Sequence, residues 1–152
     1  MKIIFLDFDG VMDTSYFAHI LSKKGMPCSD LYGTVFDPDC IKNLKEIIEN
    51  TGANIVVTSS WKSLMSFKEL LEMWKHRKLP GQIIDTTPNR KRRGDEIDDW
   101  LNECDEECQY VIIDDLNESN FSEHQKPRLV IVNPVYGIDK EVSEKAKRIL
   151  NG

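Results

Sequence analysis

Short strand-like runs alternate along the chain with longer segments in which apolar residues recur every three or four positions. The predicted strands lie at residues 3–6, 55–58, 83–84, 110–113 and 129–132. Short apolar runs without the alternation of a half-buried strand are typical of strands covered on both faces of a parallel sheet. Strands that alternate with helical segments predict an α/β fold with a mostly parallel, five-stranded sheet.

Capping signals accompany the predicted helices, whose apolar faces are Ile41, Leu44, Ile47 and Ile48; Phe67, Leu70, Leu71 and Trp74; Ile97, Trp100, Leu101 and Cys104; and Val142, Ala146, Ile149 and Leu150. Asp37-Pro38 is typical of an N-cap followed by proline at the first helical position. Ser66 and Glu69 have the spacing of a capping box. Residues 14–36 contain two glycines and a proline among aromatic residues, and we predict an irregular loop or short flap there.

Acidic residues follow two of the predicted strands at the point where each strand ends. Asp7 and Asp9 come directly after the first strand, and Asp114 and Asp115 follow residues 110–113. Ligands of open α/β sheets bind outside the carboxyl ends of the strands, so these side chains face the default binding crevice. Neighbouring carboxylates repel each other and are costly to desolvate, which favours a bound cation. All-oxygen ligands favour a hard ion, and we predict Mg²⁺.

The stretch Asp7-Phe8-Asp9-Gly10-Val11 resembles motif I of the haloacid dehalogenase (HAD) superfamily of phosphotransferases. The resemblance implies a Rossmann-like three-layer sandwich. It also implies that Asp7 is the nucleophile, which forms an aspartyl-phosphate, and that Asp9 is the general acid and base. Asp114-Asp115 is similar to the acidic motif IV of the superfamily. This similarity implies a Mg²⁺ site formed with Asp7 and the backbone carbonyl of Asp9, in which either Asp114 or Asp115 could hold the ion directly.

Motif II of the superfamily implies a hydroxyl group, after the second strand, that donates a hydrogen bond to the phosphoryl oxygens. The sequence offers three hydroxyls side by side. We favour Ser59, with Thr58 as the alternative, and we predict that Ser60 and the turn at Gly10 contact the substrate.

Motif III implies a cation that neutralises both the nucleophile and the phosphate. Arg93 opens the helix that precedes motif IV, and a guanidinium matches phosphate oxygens bidentately. Lys91 is the alternative.

The intervals in which HAD enzymes usually carry a cap domain are short in this sequence. Residues 14–36 form the flap-like segment, and residues 60–110 hold only elements that the core itself requires. We therefore predict a single capless domain over residues 1–152. The open site of a capless member does not enclose a small metabolite, and such members often act on large substrates.

Further motifs resemble the small HAD domains of RNA-repair-type proteins and the phosphatase half of polynucleotide kinase-phosphatase. They are Thr58-Ser59-Ser60-Trp61-Lys62, Thr87-Pro88, Arg93-Gly94-x-Glu96-Ile97 and Trp100-Leu101. The resemblance implies that the protein removes a terminal phosphate from a nucleic acid or a nucleotide. The basic loop at 90–93 could then hold a phosphate backbone, and Trp61 either stacks on a base or packs as a core residue at a helix edge.

Two other functions stay open: a protein or small-phosphoester phosphatase, and a non-catalytic phosphate-binding module. The intact Asp7, Asp9 and Asp114 disfavour the second of these. A net charge of −6 argues against general affinity for nucleic acid. We expect a cytoplasmic protein, monomeric by default, because the sequence has neither a membrane-length apolar run nor the pattern of a signal peptide.

Overall fold

A five-stranded parallel sheet forms the centre of the protein in the computed structural model, which describes all 152 residues. In chain order the strands are β1 (Lys2–Leu6), β2 (Ser29–Asp30), β3 (Gly33–Thr34), β4 (Asn54–Val57), β5 (Ile83–Thr86), β6 (Gln109–Asp114) and β7 (Leu129–Ile131). The helices are α1 (Ser15–Lys23), α2 (Pro38–Thr51), α3 (Phe67–His76), α4 (Arg93–Glu103) and α5 (Lys140–Asn151), with 3₁₀ turns at Ser60–Ser63, Glu118–Asn120 and Glu123–Arg128.

The central sheet has the strand order β5-β4-β1-β6-β7, and every pairing in it is parallel. Strands β2 and β3 pair with each other in a separate antiparallel hairpin. The predicted α/β class and the five strands are confirmed, and the sheet is wholly rather than mostly parallel.

Helices cover both faces of this sheet, because neighbouring side chains of a buried strand point to opposite sides. The larger core cluster, which includes Leu6, packs one face against α2, α3 and α5. The smaller cluster, which includes Phe5 and Ile97, packs the other face against α4. The result is the three-layer, Rossmann-like sandwich that was expected.

The register of the sheet aligns the ends of its three middle strands. Leu6, the last residue of β1, is in register with Val57 of β4 and Ile113 of β6. The next residue of each strand therefore belongs to a single row at the carboxyl edge of the sheet. This row consists of Thr58, Asp7 and Asp114.

The prediction for residues 14–36 was wrong, because part of this segment is helical. Helix α1 spans Ser15–Lys23, and its N-cap residue, Thr14, accepts a hydrogen bond of 3.0 Å from the backbone nitrogen of Phe17. The glycines and the proline that suggested a loop lie after this helix, around the β2–β3 hairpin. The segment is thus a helix and a hairpin packed beside the sheet, and no cap domain is evident.

The predicted caps of the next two helices are confirmed. Asp37 accepts a hydrogen bond of 2.9 Å from Asp39 at the start of α2, with Pro38 in the first helical position. Ser66 and Glu69 form the capping box of α3. None of the five helices combines the length and the apolar character needed to cross a membrane.

Candidate active site

Three carboxylates lie together at the carboxyl edge of the sheet, and we call them the acidic cluster. Oxygen atoms of Asp7, Asp114 and Asp115 all lie within 4.8 Å of one another. Burial and the carboxylate of Asp114 raise the pKa of Asp7 to about 7, although Arg93 acts in the opposite direction. Burial also raises the pKa of Asp114. Burial thus disfavours the ionised form of these carboxylates, and their oxygen donors suit a hard cation that would stabilise it.

Arg93 lies beside the acidic cluster at the first position of α4. Its Nη1 donates hydrogen bonds of 3.0 Å to Oδ2 of Asp114 and 3.0 Å to Oγ1 of Thr58. The same nitrogen lies 3.6 Å from Oδ1 of Asp7. Lys91, in contrast, is exposed and forms no hydrogen bond or ion pair. The structure brings Arg93, and not Lys91, to Asp7.

The two candidate hydroxyls have different surroundings, although both side chains are fully buried. Thr58 contacts Arg93, as its place in the row beside Asp7 leads one to expect. Oγ of Ser59 instead accepts a hydrogen bond of 3.2 Å from the backbone nitrogen of Trp61 and caps a 3₁₀ turn. The geometry thus favours Thr58 over Ser59 as the hydroxyl of motif II, whereas the sequence analysis favoured Ser59. Ser60 follows as an exposed residue.

Asp9 is exposed, and its carboxylate is oriented by a buried tryptophan. Nε1 of Trp61 donates a hydrogen bond of 3.0 Å to Oδ1 of Asp9. The indole packs against Phe8 and Phe36, with ring centroids 5.3 and 5.6 Å away. Trp61 is therefore a core residue, and the alternative that it stacks on a base is wrong.

A second acid, which sequence reasoning missed, lies beside Asp9. Oδ1 of Asp13 accepts a hydrogen bond of 3.1 Å from the backbone nitrogen of Gly10. Burial, helped by the carboxylate of Asp9, raises the pKa of Asp13 to about 7. Gly10 has a φ of +77°, and a Cβ at this position would collide with Oδ2 of Asp115. The turn at Gly10 thus allows close packing between motif I and the acidic cluster.

Behind Arg93, a buried glutamate joins three segments of the site. Oε1 of Glu96 lies 3.1 Å from Nζ of Lys62 and 3.5 Å from Nε of Arg93, and Oε2 accepts a hydrogen bond of 3.0 Å from the backbone nitrogen of Arg90. Lys62 also donates a hydrogen bond of 3.0 Å to the carbonyl oxygen of Thr58. Sequence reasoning noticed Lys62 and Glu96 only as parts of family motifs, because their contact joins segments that are distant along the chain.

A cavity of about 190 Å³ opens next to Arg93 and is lined by more cations than carboxylates. Its charged lining residues are Lys62, Arg90, Lys91, Arg93 and Glu96. We call it the cationic cavity. Ser60 also lines it. Two larger cavities, of about 510 and 670 Å³, contain none of the predicted catalytic or metal-binding residues, and Arg90 of the basic loop also lines the larger of the two.

Comparison with known proteins agrees with the motifs and with the fold. A family model described as the HAD domain in Swiss Army Knife RNA repair proteins matches residues 3–142. Among curated proteins and solved structures, no match is found. The matched region contains the five strands of the central sheet, apart from the first residue of β1, together with the acidic cluster and Arg93. The chain therefore belongs to the family of HAD domains found in Swiss Army Knife RNA repair proteins.

Proposed function

We propose that the protein is a Mg²⁺-dependent phosphoric monoester hydrolase that works through an aspartyl-phosphate on Asp7. The observation that carries the proposal is the position of Arg93, which contacts Thr58 and Asp114 beside Asp7 in a chain of the HAD family. A nucleophile, a cation and a hydroxyl then surround one point. Phosphoryl transfer depends mainly on such positioning and charge stabilisation.

The residues of the acidic cluster fit a Mg²⁺ site. They offer carboxylate oxygens, which Mg²⁺ prefers. Burial, followed by the carboxylate of Asp114, raises the pKa of Asp7, and a bound cation would offset both effects. We propose that Asp7, Asp114 and Asp115 hold the ion, with the backbone carbonyl of Asp9 that the family resemblance adds. The bound ion would keep Asp7 ionised and offset the charge of the phosphoryl group.

In the first step, a carboxylate oxygen of Asp7 attacks phosphorus while the bond from phosphorus to the leaving oxygen breaks. Asp9 gives a proton to that leaving oxygen. Arg93 and Thr58 donate hydrogen bonds to the non-bridging oxygens. Thr58 is able to do so because its oxygen accepts from Arg93 and its own hydrogen stays free.

In the second step, Asp9 takes a proton from a water molecule, which attacks phosphorus. The bond between phosphorus and Asp7 breaks, and the products are inorganic phosphate and the free carboxylate. Throughout both steps Trp61 holds one oxygen of Asp9, so the other oxygen is available for proton transfer.

We propose a terminal phosphate of a nucleic acid or a nucleotide as the substrate. Membership of a family described for RNA repair proteins supports this class, as does the cationic cavity beside Arg93. A protein or small-phosphoester phosphatase is the second candidate, because the exposure of Asp9 leaves the acid accessible to many esters.

The test is Mg²⁺-dependent phosphate release from an aryl phosphate, free nucleotides, 3′- and 5′-phosphorylated oligonucleotides and a phosphopeptide. Asp7→Asn should lower turnover at least about 1,000-fold, whereas the exposed Asp105→Asn serves as a matched control and should leave it unchanged. Substantial turnover by Asp7→Asn would refute the aspartyl-phosphate. Phosphate binding without turnover of any substrate would establish a binding module instead.

A further inference from the structure

We infer that the cationic cavity binds a second phosphate group of the substrate, next to the phosphate that is hydrolysed at Asp7. This inference rests on the proposed function and narrows its substrate class. The second phosphate is either the internal phosphodiester of an oligonucleotide or the second monoester of a nucleoside bisphosphate. Aryl phosphates and mononucleotides have no such group.

The cavity adjoins the reacting point through a shared residue. Arg93 lines the cavity, and its Nη1 also contacts Thr58 and Asp114. Lys62 likewise lines the cavity and donates a hydrogen bond to the backbone of Thr58. A phosphate in the cavity would therefore lie directly beside the phosphate held at Asp7, as consecutive phosphates of one substrate do.

The charge of the cavity lining favours an anion. Four cationic side chains and one carboxylate line it, in a protein whose net charge is −6. Glu96 pairs with Lys62 and Arg93, and Arg90 pairs with Asp99. Lys91 has no carboxylate partner and is exposed at the rim. Arg93 is also paired with Asp114 and lies 3.6 Å from Asp7. The positive charge of the lining that no carboxylate offsets is therefore that of Lys91, and a phosphate would neutralise it.

Buried donors also point to an anion. The side chain of Lys62 is only 6% exposed, and its ammonium has three N–H groups, of which two are directed at Thr58 and Glu96. Helix α4 starts at the cavity without a side-chain cap, because its N-cap residue is Arg92.

The size and the polar rim of the cavity select a phosphate rather than a larger anion. Ser60, Ser63 and Asn89 add neutral hydrogen-bonding groups to the lining. The volume of about 190 Å³ is below the roughly 300 Å³ at which pockets for drug-sized ligands begin. The cavity thus suits one phosphate group, while the rest of the substrate stays outside.

The test compares kcat/KM for an aryl phosphate, a nucleoside monophosphate, a nucleoside 3′,5′-bisphosphate, and 3′- and 5′-phosphorylated dinucleotides. At low salt we expect at least a tenfold gain when a second phosphate is present. Lys91→Ala should lower the kcat/KM of the dinucleotide about fivefold more than that of the aryl phosphate. It should also reduce the slope of log kcat/KM against log salt concentration by about 1, the value for one phosphate contact. Lys75→Ala, which removes an exposed lysine outside this cavity, is the control and should change neither.

The outcomes separate this inference from the proposed function. A gain for the dinucleotides alone assigns the cavity to a polynucleotide, and an equal gain for the bisphosphate assigns it to a second monoester. Equal kcat/KM values with and without a second phosphate, or identical effects of Lys91→Ala and Lys75→Ala, would overturn the inference. If no substrate is hydrolysed, the proposed function fails. In that case the second-phosphate site is tested by measuring the equilibrium affinities of the Asp7→Asn variant for a dinucleotide and a mononucleotide. Equal affinities would refute the site.

Discussion

The indole nitrogen of Trp61 donates a hydrogen bond of 3.0 Å to Oδ1 of Asp9. The donor belongs to a side chain that is 7% exposed, whereas the acceptor is exposed. A buried ring with close aromatic neighbours loses little further freedom when it forms this bond, so it restrains the acid at low entropic cost. Trp61 is thus a positioning residue for the proposed general acid.

Replacement of Trp61 by Phe should impair the hydrolysis of esters with poor leaving groups. The variant keeps an aromatic ring in the core but leaves Asp9 without its donor. Proton donation matters most when the leaving oxygen is basic, so we expect kcat to fall about tenfold for an alkyl phosphate and much less for an aryl phosphate. The measurement is kcat for both substrates, with KM as a check on binding.

Trp74→Phe is the matched control. Trp74 is also buried, and its Nε1 donates a hydrogen bond of 2.9 Å to the carbonyl oxygen of Pro80, which is not a site residue. Both variants lose one ring and one hydrogen bond, and their melting temperatures should fall by similar amounts. Equal losses of kcat for alkyl and aryl phosphates in Trp61→Phe would contradict the positioning role.

Removing the hydroxyl of Thr58 and removing that of Ser59 should have opposite effects on activity and stability. Thr58→Val removes the group that contacts Arg93, and we expect kcat/KM to fall about 100-fold. Ser59→Ala removes a cap of the 3₁₀ turn, and we expect the free energy of unfolding to fall by about 1 kcal/mol with activity retained. Steady-state kinetics and urea unfolding distinguish the two, and the reverse pattern would restore Ser59 as the phosphate ligand.

Without divalent cations, the stability of the protein should decrease as the pH rises from about 4 to 7. The pKa of Asp7 is about 7 in the folded protein, compared with 3.8 for an aspartate side chain without these interactions. Between these values the folded state binds more protons than the unfolded state, so the free energy of unfolding falls as pH rises, by up to about 1.4 kcal/mol per pH unit for one carboxyl. Asp7→Asn should show a shallower slope in urea unfolding, and equal slopes would contradict the pKa shift.

Mg²⁺ should weaken or reverse this pH dependence. The ion competes with protons for the acidic cluster, and it binds the folded state in preference to the unfolded state. We expect Mg²⁺ to raise the melting temperature more at pH 8 than at pH 5.5. Asp114→Asn should abolish the increase at both values, whereas an increase retained by that variant would place the ion elsewhere.

Gly10→Ala should cost more stability than the same change at Gly25. Both residues have positive φ angles, +77° and +66°, so both variants carry backbone strain of about 1–2 kcal/mol. A Cβ at Gly25 meets no atom within 4 Å, whereas a Cβ at Gly10 collides with Asp115. We expect Gly10→Ala to lose at least about 1 kcal/mol more, and to bind Mg²⁺ more weakly. Equal unfolding free energies would show that Asp115 moves without cost.

The sequence predicted the features that depend on strand ends. Strand β1 and its two acids, the acidic pair at the end of β6 and the α/β class are apparent because each depends on a short contiguous pattern. Helix α1 was missed because the glycines and proline that follow it dominated the interpretation, although Phe17, Ile20 and Leu21 have helical spacing.

Other parts of the site depend on three-dimensional contacts that no local pattern contains. Thr58 and Ser59 are both hydroxyls after the same strand, and only the register with β1 distinguishes them. The contact of Lys62 with Glu96 joins the 3₁₀ turn after β4 to helix α4, so its existence depends on how that helix docks on the sheet. The sequence around Trp61 is typical of a core residue, and its hydrogen bond to Asp9 depends on a contact that forms only in the folded protein.

The row formed by Thr58, Asp7 and Asp114 also determines when the site can assemble during synthesis. Asp7 and Asp114 are about 100 positions apart, and they meet only after β6 has paired with β1. Closing such long loops is slow relative to local helix formation. A chain emerging from the ribosome therefore cannot form the proposed phosphate and metal site until β6 has left the exit tunnel. If the site binds Mg²⁺ as proposed, the appearance of Mg²⁺ affinity during translation would report when that strand docks.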